Sequence, residues 1–225
     1  MNYVQLKAAI QSYTENYETD FESFIPTFVK QTEERVYNTV QLPPLRANVT
    51  GVLTNGNKYL PCPLDFLSVY SMAVIENYNT SNETYYYLLN KDVNYIREAY
   101  PTPADKGLPA YYAIFGPAVS SNTVSTELTF ILGPTPDSSY YAELHYYYYP
   151  ESIVTAGNSW LGDNYDPVLL YGSLREAYLY MKSEQDLIAN VEAKYNEALG
   201  QLKRLGDGME RQDSYRSGQT RVRVT

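Results

Sequence analysis

The stretch Asn158-Ser-Trp-Leu-Gly-Asp-Asn-Tyr-Asp-Pro-Val-Leu-Leu-Tyr-Gly-Ser-Leu-Arg-Glu-Ala-Tyr178 decides the fold of this chain. Asp166 followed by Pro167 predicts a helix start, because an N-cap carboxylate accepts free amide protons and proline has no amide proton that needs a partner. The apolar residues that then share one helical face are Leu170, Leu174, Ala177 and Met181. Gly172 beside them permits the close approach of a neighbouring element.

A second helix is predicted directly after this one. Ser183 and Asp186 resemble a capping box, which satisfies free amide groups at a helix start. Its apolar residues at helical spacing are Leu187, Val191, Tyr195, Ala198, Leu202 and Leu205. The two segments therefore predict an antiparallel helical hairpin with packed apolar faces.

The amino-terminal part of the chain predicts two more helices. Their apolar faces are Leu6, Ile10, Tyr13 and Tyr17 in the first, and Ile25, Val29, Thr32, Val36 and Val40 in the second. Thr19 and Glu22 have the spacing of a capping box for the second helix. Pro26 leaves two alternatives open, because proline lacks an amide donor: a helix that begins at Pro26 after a short turn, or a helix that kinks there.

The middle of the chain has the signals of strands. Leu42-Pro43-Pro44 ends the helical region, Asn55-Gly56 predicts a hairpin turn, and 92–100 predicts a short helix. The predicted strands are 69–75, 84–89, 111–115, 124–132 and 140–149. In the last strand the core face is expected to hold Tyr140, Ala142, Leu144, Tyr146 and Tyr148, and the other face Tyr141, Glu143, His145, Tyr147 and Tyr149.

These elements predict an α+β fold with four parts. An amino-terminal helical hairpin (1–41) and a carboxy-terminal one (160–205) pack together as a helical bundle. A tyrosine-rich antiparallel β-sheet or sandwich (42–159) is inserted between them, and an extended basic tail (206–225) follows. Because Gly206, Gly208 and Gly218 fall in a segment without apolar periodicity, we expect this tail to be flexible.

Composition and charge narrow the class of protein. The 225 residues include one cysteine, which excludes an internal disulfide framework, and no apolar run reaches membrane length. The amino terminus lacks the pattern of a signal peptide, so we expect an intracellular protein. Residues 203–225 hold six basic and three acidic residues, against 11 basic and 23 acidic in the rest. An acidic body therefore ends in a basic tail, and a DNA-binding module is disfavoured.

Catalytic motifs are missing from the sequence. It has no phosphate-binding glycine loop, no nucleophile elbow and no two-histidine metal motif. We expect His145 to be a partly exposed strand residue without a catalytic role. We expect Cys62 to be an unreactive residue that packs as an apolar side chain. Carboxylate pairs that could hydrolyse glycosides are Asp163 with Asp166 and Glu143 with Glu151. Pairs of this kind arise by chance among 26 acidic residues, so we expect no enzyme, cofactor or metal.

Two groups of residues, one at each end of the chain, form a family pattern. The carboxy-terminal group is Trp160-Leu161, then Leu169-Leu170-Tyr171-Gly172 with Leu174, Glu176, Ala177 and Tyr178. The amino-terminal group is Phe24-Ile25-Pro26-x-Phe28-Val29 and Thr32-Glu33-x-Arg35-Val36. The pattern resembles that of the head-to-tail adaptor, or connector, proteins that dock beneath the portal ring of tailed bacteriophages.

The resemblance implies a structural virion protein of the neck, made in the host bacterial cytoplasm. It implies a homo-oligomeric ring of twelve copies that binds the portal protein, encloses the DNA channel and meets a tail nozzle or tail-terminator protein. DNA would pass without sequence-specific binding, and no membrane would be involved. The tail residues expected to bind the portal, beyond a hinge at Gly206 to Gly208, are Arg211, Tyr215, Arg216, Arg221, Val222, Arg223 and Val224.

Two alternatives stay open. A frayed, functionless terminus is a common fate of a chain end like this one. The 26 tyrosines also suit a carbohydrate-binding module, in which rings such as Tyr147 and Tyr149 stack on sugars, or another neck or tail component with aromatic protein interfaces. Saturable sugar binding by a monomer would favour the carbohydrate-binding module.

Overall fold

The computed structural model describes residues 1–116, 119–120, 123–124 and 128–217, and the side chains of 1–116 and 128–209. The helices are α1 (Tyr3–Thr14), α2 (Thr19–Thr39), α3 (Val93–Ala99), α4 (Ile153–Ala156), α5 (Trp160–Asn164), α6 (Asp166–Tyr180) and α7 (Gln185–Ser217). The strands are β1 (Arg46–Leu53), β2 (Tyr59–Pro61), β3 (Phe66–Glu76), β4 (Thr84–Tyr87), β5 (Leu89–Asn90), β6 (Lys106–Gly107), β7 (Tyr111–Phe115), β8 (Val119–Ser120), β9 (Thr123–Val124), β10 (Thr129–Gly133), β11 (Thr135–Pro136) and β12 (Tyr140–Tyr148). This mixture of helices and largely antiparallel strands is that of an α+β protein.

The chain divides into two units. The helical unit comprises Met1–Leu45 and the chain from Tyr149 onward, and the β unit comprises Arg46–Tyr148. The β unit is shorter than the middle part predicted from sequence, because Leu42 and Ile153 are buried in the core of the helical unit.

Helix α6 lies at the centre of the helical unit, where it contacts α1, α2, α5 and α7. Because α6 has neighbours on several sides, it buries residues outside the predicted apolar face, including Leu169 and Tyr178. Two residues of the predicted face, Leu170 and Met181, are only partly buried. The start at Asp166-Pro167 is confirmed, but the predicted N-cap is wrong. Tyr165 holds the N-cap position, and the Asp166 carboxylate lies 4.0 Å from the Met1 amino group.

The two amino-terminal helices differ from the prediction at their ends. Asn2 and Gln5 form a capping box for α1, and Tyr17 lies beyond that helix. The predicted capping box of α2 is wrong: Thr19 is already helical, and the Glu22 carboxylate accepts a hydrogen bond from Lys7 instead. Helix α2 continues through Pro26, so the helix does not begin there. Burial of Phe21, Ile25, Phe28 and Val29 on both sides of the proline holds the two parts in one helix.

The β unit consists of two four-stranded sheets and shorter pairs. Sheet A has the strand order β1-β12-β3-β4, with every pair antiparallel. Sheet B has the order β2-β10-β7-β5, in which β5 and β7 are parallel. Both sheets contribute to one core, which includes Met72, Val74 and Leu144 from sheet A and Phe130 and Leu132 from sheet B. Helix α3, capped by Asp92 as its predicted position requires, packs on β7 and β10 through Ile96.

The turn at Asn55-Gly56 is not a hairpin between paired strands. Gly56 has the positive φ of 77° that a tight turn needs, and its amide donates to the Pro136 carbonyl oxygen. The two strands that the turn joins, β1 and β2, enter different sheets, where they pair with β12 and β10. The local turn signal was therefore correct and the predicted pairing was wrong.

Gly172 marks the closest contact in the helical unit. A Cβ atom at this position would lie 2.2 Å from Thr32 Cγ2 on α2 and 3.0 Å from Tyr195 Cε2 on α7. Real carbon atoms do not approach so closely, so glycine sets the spacing of three helices here. The close approach expected at Gly172 from the sequence is found.

We expect Gly172→Ala to lower the free energy of unfolding of the helical unit by about 1–2 kcal/mol, because overpacking costs more than the helix propensity that alanine adds. Gly200→Ala in α7 is the matched control, since nothing lies within 4 Å of its added Cβ, and it should stabilise by up to about 1 kcal/mol. Urea unfolding followed by far-UV circular dichroism measures both, and equal effects would contradict the packing role of Gly172.

Candidate assembly surfaces

The carboxy-terminal helix α7 extends through the expected hinge. It continues past Gly206 and Gly208 to Ser217, so the predicted end at 205 is wrong. Gly206 is buried, and a Cβ there would lie 2.9 Å from Leu42 Cδ2 and 3.0 Å from the Gln41 carbonyl oxygen. Gly206 therefore permits close packing of α7 against residues 41–42. It does not act as the hinge that the sequence predicted.

The predicted portal-binding residues fall at the end of this helix and beyond it. Arg211, Tyr215 and Arg216 are within the range of α7, but their side chains lie outside the described residues. Arg221, Val222, Arg223 and Val224 lie outside the described residues altogether. Their proposed role therefore rests on their sequence.

Of the two tyrosines considered for stacking on sugars, Tyr147 is buried and Tyr149 is 37% exposed. Tyr147 is only 5% exposed, although its strand position predicts the outer face. The pairing of β12 with β3 shifts register between His145 and Tyr146 and again after Tyr147. The Arg46 guanidinium carbon lies 3.7 Å from the Tyr70 ring centroid and 5.0 Å from that of Tyr147. Tyr149, in the helical unit, donates a hydrogen bond to Asn38.

The outer face of sheet A, which faces away from the core shared with sheet B, holds a shallow groove. Its cavity of about 260 Å³ is lined by Ser71, Ala73, Tyr85, Tyr87, Glu143 and His145. Glu143 Oε1 accepts a hydrogen bond from Asn48 at 2.7 Å and lies 2.9 Å from His145 Nε2. Glu83 accepts a hydrogen bond from the Tyr85 hydroxyl and raises the pKa of Tyr85 to about 12. The groove is thus a neutral aromatic wall opposite a carboxylate that already has partners.

A serine, a histidine and a glutamate meet in this groove, which the sequence did not indicate. Ser71 and His145 are direct cross-strand partners, and Glu143 contacts the imidazole. Nucleophilic catalysis needs a hydrogen bond from the serine to the base, and among the described residues none joins Ser71 to His145. The glutamate is also shared with Asn48, so the arrangement is that of a polar strand surface.

The four acidic residues considered from sequence are divided between the two units. Glu143 belongs to the β unit and Glu151 to the helical unit. Asp166 is directed to the Met1 amino group, while Asp163 is exposed in the short helix α5. Within the described parts of the chain, no cluster of three metal-ligating side chains occurs, and no helix has the length and apolar character to cross a membrane.

A buried glutamate in the helical unit was also missed. Glu33 is 3% exposed, and its carboxylate accepts a hydrogen bond of 2.9 Å from the Ile153 amide. Burial raises the pKa of Glu33, against the lowering by this hydrogen bond. A cavity of about 370 Å³ next to it is lined in part by Lys30, Glu34 and Tyr149. Glu33 thereby joins the start of α4 to α2. The sequence signal for its burial was its position beside Thr32, on the apolar face of α2.

The described surfaces combine exposed tyrosines with polar groups that partner one another, a composition that is common at protein interfaces. The family model described as SU10 adaptor protein matches residues 1–224, so the chain belongs to the SU10 adaptor family. Such phage adaptors are structural proteins of the virion that contact other virion components. A search of curated proteins finds no match to the chain.

We expect Gly206→Ala to destabilise the helical unit by about 1 kcal/mol, because the added methyl group meets the Gln41 carbonyl oxygen and the Leu42 side chain. Gly208→Ala is the control two residues away: nothing lies within 4 Å of its Cβ, and alanine should stabilise the helix. Thermal unfolding of both variants separates packing from hinge function, since a hinge would make the two substitutions equivalent.

The Cys62 thiol should not react with thiol reagents in the folded protein. Its side chain is buried, and desolvation raises the pKa of the thiol to about 12. We expect no reaction with a disulfide reagent at mildly alkaline pH until urea unfolds the β unit, when the thiol regains its usual pKa. Stoichiometric labelling without denaturant would show that the strand ends around Cys62 open readily.

Proposed function

We propose that this chain is a head-to-tail adaptor that assembles as a ring, of twelve copies, on the lower face of the phage portal. The ring would enclose the DNA channel and offer a platform to the next tail component. The observation that carries this proposal is the family match over residues 1–224, which includes both units. Within that assignment, we propose that the hairpins from the two chain ends form the bundle and that the β unit is its insertion.

The long helix α7 supports a role of the basic tail in portal binding. It has 33 residues, which at about 1.5 Å per residue makes it ~50 Å long. Its packing at Gly206 against Leu42 fixes the helix within the helical unit, and Arg211 and Arg216 lie further along the same helix. Arg221 and Arg223 follow in the sequence, outside the described residues. We propose that these residues, with Tyr215, Val222 and Val224, bind the portal through charge pairing or an added strand.

The acidic body supports passage of DNA without retention. Residues 1–202 carry 11 basic and 23 acidic side chains, which repel the phosphate backbone. A wall of this charge would let DNA slide through the channel without sequence-specific contacts. Retention of DNA by the purified body at low salt would argue against this part of the proposal.

The test is co-sedimentation of the purified protein with the assembled cognate portal, followed by particle imaging of the complex. We expect a ring on the portal with the full chain, and weaker binding after deletion of 218–225 or in the double variant Arg221→Gln and Arg223→Gln. The deletion spares Gly206 and its packing partners, so circular dichroism should be unchanged. Binding equal to that of the intact chain would remove these residues from the portal contact.

A different neck or tail position is the alternative within the virion, and failure to bind the portal over several salt concentrations would favour it. For the carbohydrate-binding alternative, the Tyr147 ring is buried. The aromatic surfaces that remain are the exposed ring of Tyr149 and the groove beside Tyr85 and Tyr87. Saturable binding on a glycan array by a monomeric protein would favour that alternative.

A further inference from the structure

Sheet A of the β unit ends in two open edges. Among the described residues, β1 has β12 as its strand neighbour and β4 has β3, and no further strand pairs with either. The amide and carbonyl groups on the outer side of such strands are a template for another strand. Edge strands in monomeric proteins normally carry a charge, a proline or a bulge that blocks such pairing.

Apart from Arg46 at the first position of β1, these two edges carry no charge, proline or bulge. Strand β1 has no charged residue or proline between Ala47 and Leu53, and its pairing with β12 runs without a register shift. Strand β4 consists of Thr84 and three successive tyrosines. The short length of β4, four residues, limits the extent of pairing, but no charge or proline in β4 or from Ala47 to Leu53 opposes a neutral partner strand.

The exposure of side chains at both edges fits a missing neighbour. Val49 and Tyr86 are paired with the core residues Leu144 and Val74 and so face the same side of the sheet, yet they are 40% and 36% exposed. On the other face, the exposed residues of the edge strands include Val52, Tyr85 and Tyr87. Tyrosine and β-branched residues are favourable cross-strand neighbours, so each edge suits the other.

We propose that the two edges pair with each other between copies of this chain: β1 of one copy adds antiparallel to β4 of the next, so that sheet A continues from subunit to subunit. The direction of the strands permits this. Because the four strands alternate in direction, β1 and β4 run in opposite directions and form an antiparallel pair when two copies lie side by side. Head-to-tail contacts of this kind generate rings when the rotation closes.

Charges at the strand ends favour this pairing over a symmetric one. Lys106 Nζ lies 3.5 Å from Asn55 Oδ1, just beyond the carboxy-terminal end of β1, and Glu83 directly precedes β4. Head-to-tail pairing brings these two ends together and places opposite charges near each other. A symmetric pairing of β1 with β1 would instead bring Lys106 toward Arg46, which has the same charge.

The inference rests on the proposed ring, and it names the contact that holds neighbouring copies together. Cross-linking tests it directly, because Cys62 is buried and leaves little background. The variants are Val52→Cys on β1 and Tyr85→Cys on β4, with a bis-maleimide that spans the ~7–8 Å between diagonal cross-strand neighbours. Free protein and the portal complex are both examined.

An equimolar mixture of the two single variants should yield covalent dimers, and the double variant should yield a ladder of higher products. Each single variant alone should give neither. Self-linking of a single variant would show symmetric pairing and overturn the inference, as would the loss of cross-links from every sample. Sedimentation of the same samples with the portal reports separately on the proposed function.

Charge substitution gives a second test that does not depend on register. Val52→Lys should prevent the ring, because a lysine on an edge strand is one of the features by which natural proteins block the addition of another strand. Ile114→Lys is the matched control: this side chain is 42% exposed on β7, an interior strand of sheet B. Circular dichroism of both variants serves as the control for folding. If Val52→Lys forms rings on the portal as the wild type does, edge pairing is overturned while the adaptor function stands.

Discussion

The spacing of α2, α6 and α7 at Gly172 is the constraint on which the helical unit depends. Thr32 and Tyr195 occupy the space that a side chain at Gly172 would need, so the three helices can approach in one arrangement only. A polar layer lies beside this contact. Arg35 pairs with Glu176 at 2.8 Å, and Arg175 reaches Glu192 on α7 at 3.3 Å. These pairs are partly exposed, so each contributes little to stability, but together they join α6 to both α2 and α7.

The same type of contact recurs further along α7, at Gly206 against Leu42. Two points of close approach on one helix fix its axis relative to the rest of the helical unit. The segment between them buries Tyr195, Ala198 and Leu202 in the same core. A helix held in this way leaves the core of the helical unit in a defined direction.

Periodicity predicted the long helices and strands β3, β7 and β12, because apolar faces reflect burial directly, but it did not predict β1 or β2. What depended on distant residues was missed. The Asp166 carboxylate forms an ion pair with the Met1 amino group, and the Glu22 carboxylate accepts a hydrogen bond from Lys7. Neither carboxylate therefore caps the helix that its local spacing indicated. The end of α7 was predicted too early, because glycine costs a helix about 1 kcal/mol and the packing at Gly206 outweighs this cost. The pairing of β1 with β12 could not be predicted from the turn that follows β1. The burial of Tyr147 likewise follows from a register shift and from Arg46.

Copies of an acidic protein repel one another, and this sets a condition on any ring that they form. The body carries 12 more acidic than basic side chains in residues 1–202, which keeps separate copies soluble and opposes their association. A contact between copies must therefore be locally neutral or complementary in charge. The edges of sheet A meet this condition beyond Arg46, because the exposed residues of β1 and β4 are uncharged. The charges at the two strand ends that would meet, Lys106 and Glu83, have opposite sign. Tyrosine suits both states, since its hydroxyl is hydrated in the free copy and its ring is buried on association at little cost in side-chain entropy.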